Sequence, residues 1–311
     1  MTCDEAPGLG PAPRVGPGDA GRLWAALGLL LGFMAAEVVV GVLSRSLALI
    51  SDAGHMLADA GALGLALLAM HLAIRPPSGG LTYGLRRAEI LSGLVSGITL
   101  LVIAALIVFE AAVRLASAPA VSAGWMLGTA LAGALVNTLA VRQLAHMSRQ
   151  SLNVRGAHQH VLTDLYAFIA TAIAAVVILA TGWSRADAVA ALLVVVLMSI
   201  AGVGLIKEAV LVLLEAAPAG LSTDAIVTMM RSHPLVVDVH DFHLWEITSG
   251  MPALSAHVLV APGEDCHAVR RELEGSLHDG FDIDHTTLQL DHAPRPVTVR
   301  VQPLSDRSRV R

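Results

Sequence analysis

The hydrophobic pattern divides the chain in two. Six apolar stretches lie near 23–43, 47–74, 89–115, 122–145, 157–181 and 186–207. Each reaches the ~20 residues that an α-helix needs to cross a hydrocarbon core. Their periodicity and length predict six membrane-spanning helices. After Pro218 the character changes, and polar residues, short strand-like runs and amphipathic segments alternate.

That last part predicts a helix over Leu221–Ser232, capped by Ser222 or Thr223, then a strand over Val236–Thr248 and a turn at Ser249–Pro252. A second strand over Ala253–Ala261, a helix over Asp265–Asp279 and a strand over Ile283–Asp291 complete it. The order αββαβ predicts an α+β layer similar to ferredoxin-like and metallochaperone-like domains. The expected plan is a disordered tail (1–21), a six-helix membrane bundle (22–210), a cytosolic ferredoxin-like regulatory and dimerisation domain (211–293), and a mobile basic tail (294–311).

Composition agrees. Of 311 residues, 55% are hydrophobic and 14% charged, with a mean hydropathy of +0.69. Soluble domains run at about 45–50% and 25%. A net charge of −5 and 4% aromatics argue against nucleic-acid binding. Cys3 and Cys266 offer neither a disulfide framework nor a thiolate zinc motif. The Gly/Pro-rich first twenty residues have no basic segment and do not read as a signal peptide. Basic residues flank the spans unevenly. Arg14, Arg22, Arg75, Arg86, Arg87, Arg142, Arg149, Arg155 and Lys207 fall on one side, and Arg45, Arg114 and Arg185 on the other. The positive-inside bias predicts both termini and the polar domain in the cytoplasm.

Two His-x-x-x-Asp pairs, His55/Asp59 and His160/Asp164, lie inside the second and fifth spans. Positions i and i+4 share a helix face, so each pair presents an imidazole and a carboxylate to one neighbour. Two such faces make an N2O2 set suited to tetrahedral Zn2+. Ionisable groups in a bilayer are costly and mark pathways or sites. Interhelical hydrogen bonding would account for one such residue, but less readily for two matched pairs. Glu37 and Asn137 read as structural or supporting groups, and Asp52 as a ligand neighbour or a helix-entry cap. Bound imidazole is neutral and bound carboxylate ionised, so loading expels protons. With an ordinary pKa of about 6.5, histidine exchanges a proton for metal near neutrality. No GxxxxGK[ST] motif is present, which argues against nucleotide-driven pumping. An intramembrane metalloenzyme would need a general base and an open coordination position; no HExxH occurs. A non-transporting metal sensor is the other alternative.

Four stretches carry a family resemblance: Ser46–Ala60 (SLALISDAGHMLADA), Tyr83–Leu91 (YGLRRAEIL), Ser151–Asp164 (SLNVRGAHQHVLTD) and Val239–Val260 (VHDFHLWEITSGMPALSAHVLV). On these the chain resembles the cation diffusion facilitators, in particular zinc-preferring bacterial members. The resemblance implies a homodimeric, proton-coupled Zn2+ exporter of the bacterial inner membrane, with no prosthetic group and no enzymatic activity. It implies a site of His55, Asp59, His160 and Asp164, and rocking of spans 1, 2, 4 and 5 against 3 and 6. Because relatives with Asp in place of His55 are less selective, it implies preference for zinc over manganese or iron. It also implies a zinc-responsive regulatory site involving His240, His257 and Asp291, with His267 nearby. Gln289 stands where several relatives have a third histidine, so a full two-metal cluster is not expected. The loop 75–85 lacks His, Asp and Glu, and no metal site is expected there.

Overall fold

The computed structural model describes residues 17–44, 47–117, 122–145 and 151–294, and within them all side chains except those of 17–20, 40–44, 47–55, 58, 59, 117 and 153. Residues 1–16 (Arg14 among them) and 295–311, Arg45 and Arg149, and the side chains of Asp52, His55 and Asp59, lie outside the described residues; residues 17–21, expected in a disordered tail, instead form the first turn of a helix. Six long helices come first: α1 (Pro17–Ser44), α2 (Leu47–Ala73), α3 (Ala88–Ser117), α4 (Ala123–Leu144), α5 (Leu152–Thr181) and α6 (Ala186–Leu213). At 1.5 Å per residue their 22–30 residues give lengths of about 33–45 Å, enough to cross a bilayer. Many large apolar side chains on their outer faces are exposed, including Phe109, Leu106, Trp125, Ile200 and Leu193. On a water-soluble protein such a surface would aggregate; against lipid it is the complementary surface.

The chain forms two compact units. The first holds the six helices together with Leu244–Ala253; the second holds Gly220–His243 and residues from Leu254 onward.

Two buried clusters organise the first unit. One joins α1, α2, α4 and α5 through Leu23, Leu30, Met56, Leu63, Ala140 and Val161; the other joins α3, α5 and α6 through Ile90, Leu100, Leu152, Met198 and Leu205. In the second, small residues set the spacing. A Cβ at Gly97 would meet the Gly202 carbonyl oxygen at 2.9 Å, and one at Gly202 would meet the Gly97 carbonyl oxygen at 3.0 Å. Backbone touches backbone, the arrangement that membrane helices use for tight packing. Ion pairs tie the ends: Arg114 to Asp187 at 2.6 Å between α3 and α6, and Arg155 to Glu208 at 2.7 Å between α5 and α6.

α5 starts at Leu152, five residues before the apolar pattern does, because Ser151 caps it by accepting from the Val154 N–H at 3.2 Å. It ends at Gly182, which takes the left-handed conformation (φ 71°) that closes a helix C-terminus.

After α6 come α7 (Thr223–Arg231), β1 (Val236–Thr248), β2 (Met251–Val260), α8 (Cys266–Phe281) and β3 (His285–His292), with sheet order β1-β2-β3. Of the two caps expected for α7, Ser222 is the one used. The Ala261 N–H donates to Leu235 O, so β2 runs antiparallel to β1. The Ala293 N–H donates to Val260 O, which sets the ends of β2 and β3 side by side and makes that pair parallel across α8. Alternate residues of β2 (Leu254, Ala256, Val258, Val260) and the stripe Val269, Leu273, Leu277 of α8 are buried with Ile226 and Met230 of α7.

The turn is tighter than the sequence suggests. Gly250 (φ 70°) reverses the chain, and β2 begins at Met251 with Pro252 inside it. In the register set by Ala293, β3 begins only after Pro252, so the missing N–H removes no ladder bond on that side.

The close α3–α6 crossing yields a prediction. Gly202→Val should destabilise the protein by about 1–3 kcal/mol, since the added carbons have only the Gly97 backbone and Leu101 to displace. Thermal unfolding in detergent should show a lowered midpoint; an unchanged midpoint means that the helices are not in backbone contact.

Candidate functional site

His160 and Asp164 lie one turn apart on α5 and are 0% and 6% exposed. His55 and Asp59 lie one turn apart on α2. Met56 and Ala60, which directly follow them, are buried in the same cluster as Ala157 and Val161 of α5. The backbone therefore brings the two His-x-x-x-Asp turns to packed helices. Two other polar groups are buried in this bundle. Glu37 on α1 is 5% exposed; Asn137 on α4 is 1% exposed and its side-chain amide donates to Gly133 O at 3.1 Å. The turn containing Asn137 is held close to α5, because a Cβ on Gly133 would collide with the Phe168 ring. In a low-dielectric bundle such groups are expensive unless they serve one another or a passing ion.

In the second unit His240 and His257, on neighbouring strands, meet edge to face with ring centroids 5.5 Å apart. Asp241 sits between two imidazoles, 3.1 Å from His243 Nε2 and 3.8 Å from His257 Nε2. Its φ of 50° is left-handed, which among L-residues Asp tolerates better than most. Val239 and Leu244 are both buried although five positions apart; an unbroken strand would place them on opposite faces. One extra residue at Asp241 restores the inward face and behaves as a bulge. Asp291 accepts from the Gln289 side-chain amide at 3.0 Å. Neither Asp241 nor His243 was expected at this site; an Asp amid Val, His and Phe in a strand was the available signal.

Two further side-chain groupings were not expected from the sequence. Cys266 Sγ lies 3.6 Å from His292 Nε2, and ligand atoms of His278, Asp282 and Asp284 cluster within 4.8 Å. The His278–Asp284 hydrogen bond, at 2.6 Å, raises the His278 pKa above its ordinary 6.5. At the other end of α8, Asp265 accepts from the Ala268 and His267 N–H groups, which lowers its pKa.

Residues 23–214 match the cation efflux transmembrane domain, and 218–293 match the cation efflux protein cytoplasmic domain. The chain belongs to the cation efflux family, the cation diffusion facilitators. This efflux protein is 41% identical over 278 residues to "Zinc transporter ZitB" of Escherichia coli (strain K12), covering 89% of this chain and 88% of that one. It is 35% identical over 270 residues to the "Cadmium, cobalt and zinc/H(+)-K(+) antiporter" of Bacillus velezensis, covering 85% and 86%. The metal-bound C-terminal domain of the CzcD transporter from Cuprividus metallidurans aligns with 23% of this chain and 99% of its own, with 32% identity and a TM-score of 0.22. Membership makes the efflux protein a multi-pass membrane transporter of metal cations, not an enzyme.

The raised pKa of His278 has a defined sign. The stabilisation from its pairing with Asp284 is fully present below the unfolded value of 6.5 and is lost as pH rises through the higher folded value. Asp284→Asn should bring the His278 titration down toward 6.5, as followed by histidine NMR. An unmoved titration would show that Asp284 is not the cause.

Proposed function

We propose that this protein exports Zn2+ from the cytoplasm in exchange for protons, through an intramembrane site made of His55, Asp59, His160 and Asp164. The observation that carries the reading is the buried His160–Asp164 turn on α5, packed in one cluster with the α2 turn that follows His55 and Asp59. Two imidazole nitrogens and two carboxylate oxygens suit zinc, a borderline ion that takes four ligands. The name of the ZitB relative and the antiporter relative point the same way.

The coupling follows from the donor set. Zinc and protons compete for the same four atoms, since a bound imidazole is neutral and a bound carboxylate ionised. A site exposed to the cytoplasm loads zinc and sheds protons; the same site opened to a more acidic exterior takes protons and lets zinc go. Alternating access then requires α1, α2, α4 and α5 to rock against the tightly packed α3 and α6. The uneven basic flanks support an orientation with both termini and the C-terminal domain on the cytoplasmic side of a bacterial inner membrane. In this reading the protein works as a homodimer. Residues 22–210 conduct and 211–293 dimerise and regulate. His240 and His257 anchor a zinc-responsive regulatory site, with Asp291 as its third group.

His160→Ala and Asp164→Ala should each abolish zinc uptake into inside-out proteoliposomes while leaving folding intact, because a lost ligand weakens zinc binding and Ala suits a buried membrane position. Wild-type transport by either variant would defeat the site. In the C-terminal domain, zinc should raise the unfolding midpoint by mass action, and the His240→Ala/His257→Ala variant should lose that rise while remaining folded. Calorimetric binding that survives the double substitution would remove these two residues from the regulatory site.

A further inference from the structure

The tip of the β1–β2 hairpin, Leu244–Ala253, packs in the same compact unit as the six helices. Its polar groups meet the start of α3 and of α5. Thr248 Oγ1 donates to Arg86 O at 3.2 Å, Arg87 Nε donates to Ile247 O at 3.3 Å, and Ser249 Oγ accepts from the Leu152 N–H at 3.2 Å. Glu89, in the first turn of α3, is 4% exposed and lies beside Ser151, Thr248 and the Leu152 backbone. The first amides of a helix have no partner within it and must find one outside. Ser151 satisfies Val154 locally, but the amide of Leu152, the first residue of α5, depends on Ser249, 97 positions further on, with the buried Glu89 beside it.

We propose that the hairpin tip is a releasable clamp on the N-terminus of α5, with Glu89 the positioning residue that binds tip, α3 and α5 together. The inference rests on the reading of α5 as the helix that carries His160 and Asp164. Two features set the clamp apart from ordinary packing. Its hydrogen bonds to α3 and α5 are few and each of small net strength, and its apolar part is the small separate cluster of Ile247, Met251 and Ala253, so it opens without unfolding either large core of the helices. It also lies on the strands that bear the regulatory histidines: His240 is four residues before Leu244, and His257 four residues after Ala253. A change in strand geometry at those histidines therefore reaches the α5 cap through a few residues of extended chain. Held, α5 moves as one rigid rod with its first turn intact; released, that turn frays and motion at one end is no longer delivered to His160.

The test uses the full-length protein in proteoliposomes, with zinc alone as the probe, and compares Thr248→Val/Ser249→Ala with wild type. Hydrogen exchange of the peptide spanning 151–158 should quicken roughly tenfold, as expected for two lost hydrogen bonds at a helix end, while peptides within α3 and α6 stay unchanged. The maximal zinc transport rate should fall several-fold at an unchanged half-saturating concentration. Ser249→Thr, which keeps the hydroxyl, should retain both wild-type values, and Glu89→Gln should perturb both less than Glu89→Ala. Unchanged exchange at 151–158 in the double variant overturns the clamp, as does a loss shared by Ser249→Thr and accompanied by a general drop in thermal stability. The two readings fail separately. Full transport by His160→Ala would defeat the assignment of α5 yet leave the quickened exchange in place, whereas unquickened exchange would defeat the clamp and leave the His160 result untouched.

Discussion

A hydrocarbon interior offers no hydrogen bonds, and everything in this molecule answers to that. Backbone groups in the spans are satisfied within helices, and the outer faces are given over to apolar side chains. Against this background a buried His160, Asp164, Glu37 or Asn137 is a large local expense. A bundle retains such groups as hydrogen bonds between helices or as a site for something that moves through it. The chemistry proposed for the protein is the use made of that expense: sites that are costly to leave charged bind a divalent ion and protons in turn.

Packing decides which helices can move. The α3–α6 crossing is backbone on backbone at Gly97 and Gly202, reinforced by Arg114 with Asp187, and so resists sliding. α1, α2 and α4 gather around a separate cluster. α5 belongs to both: Val154, Ala157 and Val161 face the first cluster, and Leu152 the second. A helix shared between a rigid pair and a second group is where a relative movement of the two must be resolved. The external clamp on its first turn falls at that place.

Much of the architecture was legible from hydrophobic patterning alone. All six long helices and the αββαβ order correspond to runs visible in the sequence, because a span needs a minimum apolar length and a half-buried strand needs alternation. Boundaries were less legible where polar contacts extend an element. α5 starts five residues before its apolar run because of the cap at Ser151, and α6 continues to Leu213 beyond the span expected to end at 207. The early start of β2 through Pro252 escaped local rules because it depends on where β3 begins.

The sequence by itself determined the element types, the two matched His-x-x-x-Asp turns and the family resemblance, since each rests on spacing within one segment. Only the tertiary structure decided that Asp241 turns its strand to stand between His243 and His257, and that Glu89, Ser151, Thr248 and Ser249 converge at the head of α5. The reason is physical. Periodicity reports which face of an element is buried, but hydrogen-bond partners dozens of residues apart are chosen by how packed elements meet, and no local pattern encodes that meeting.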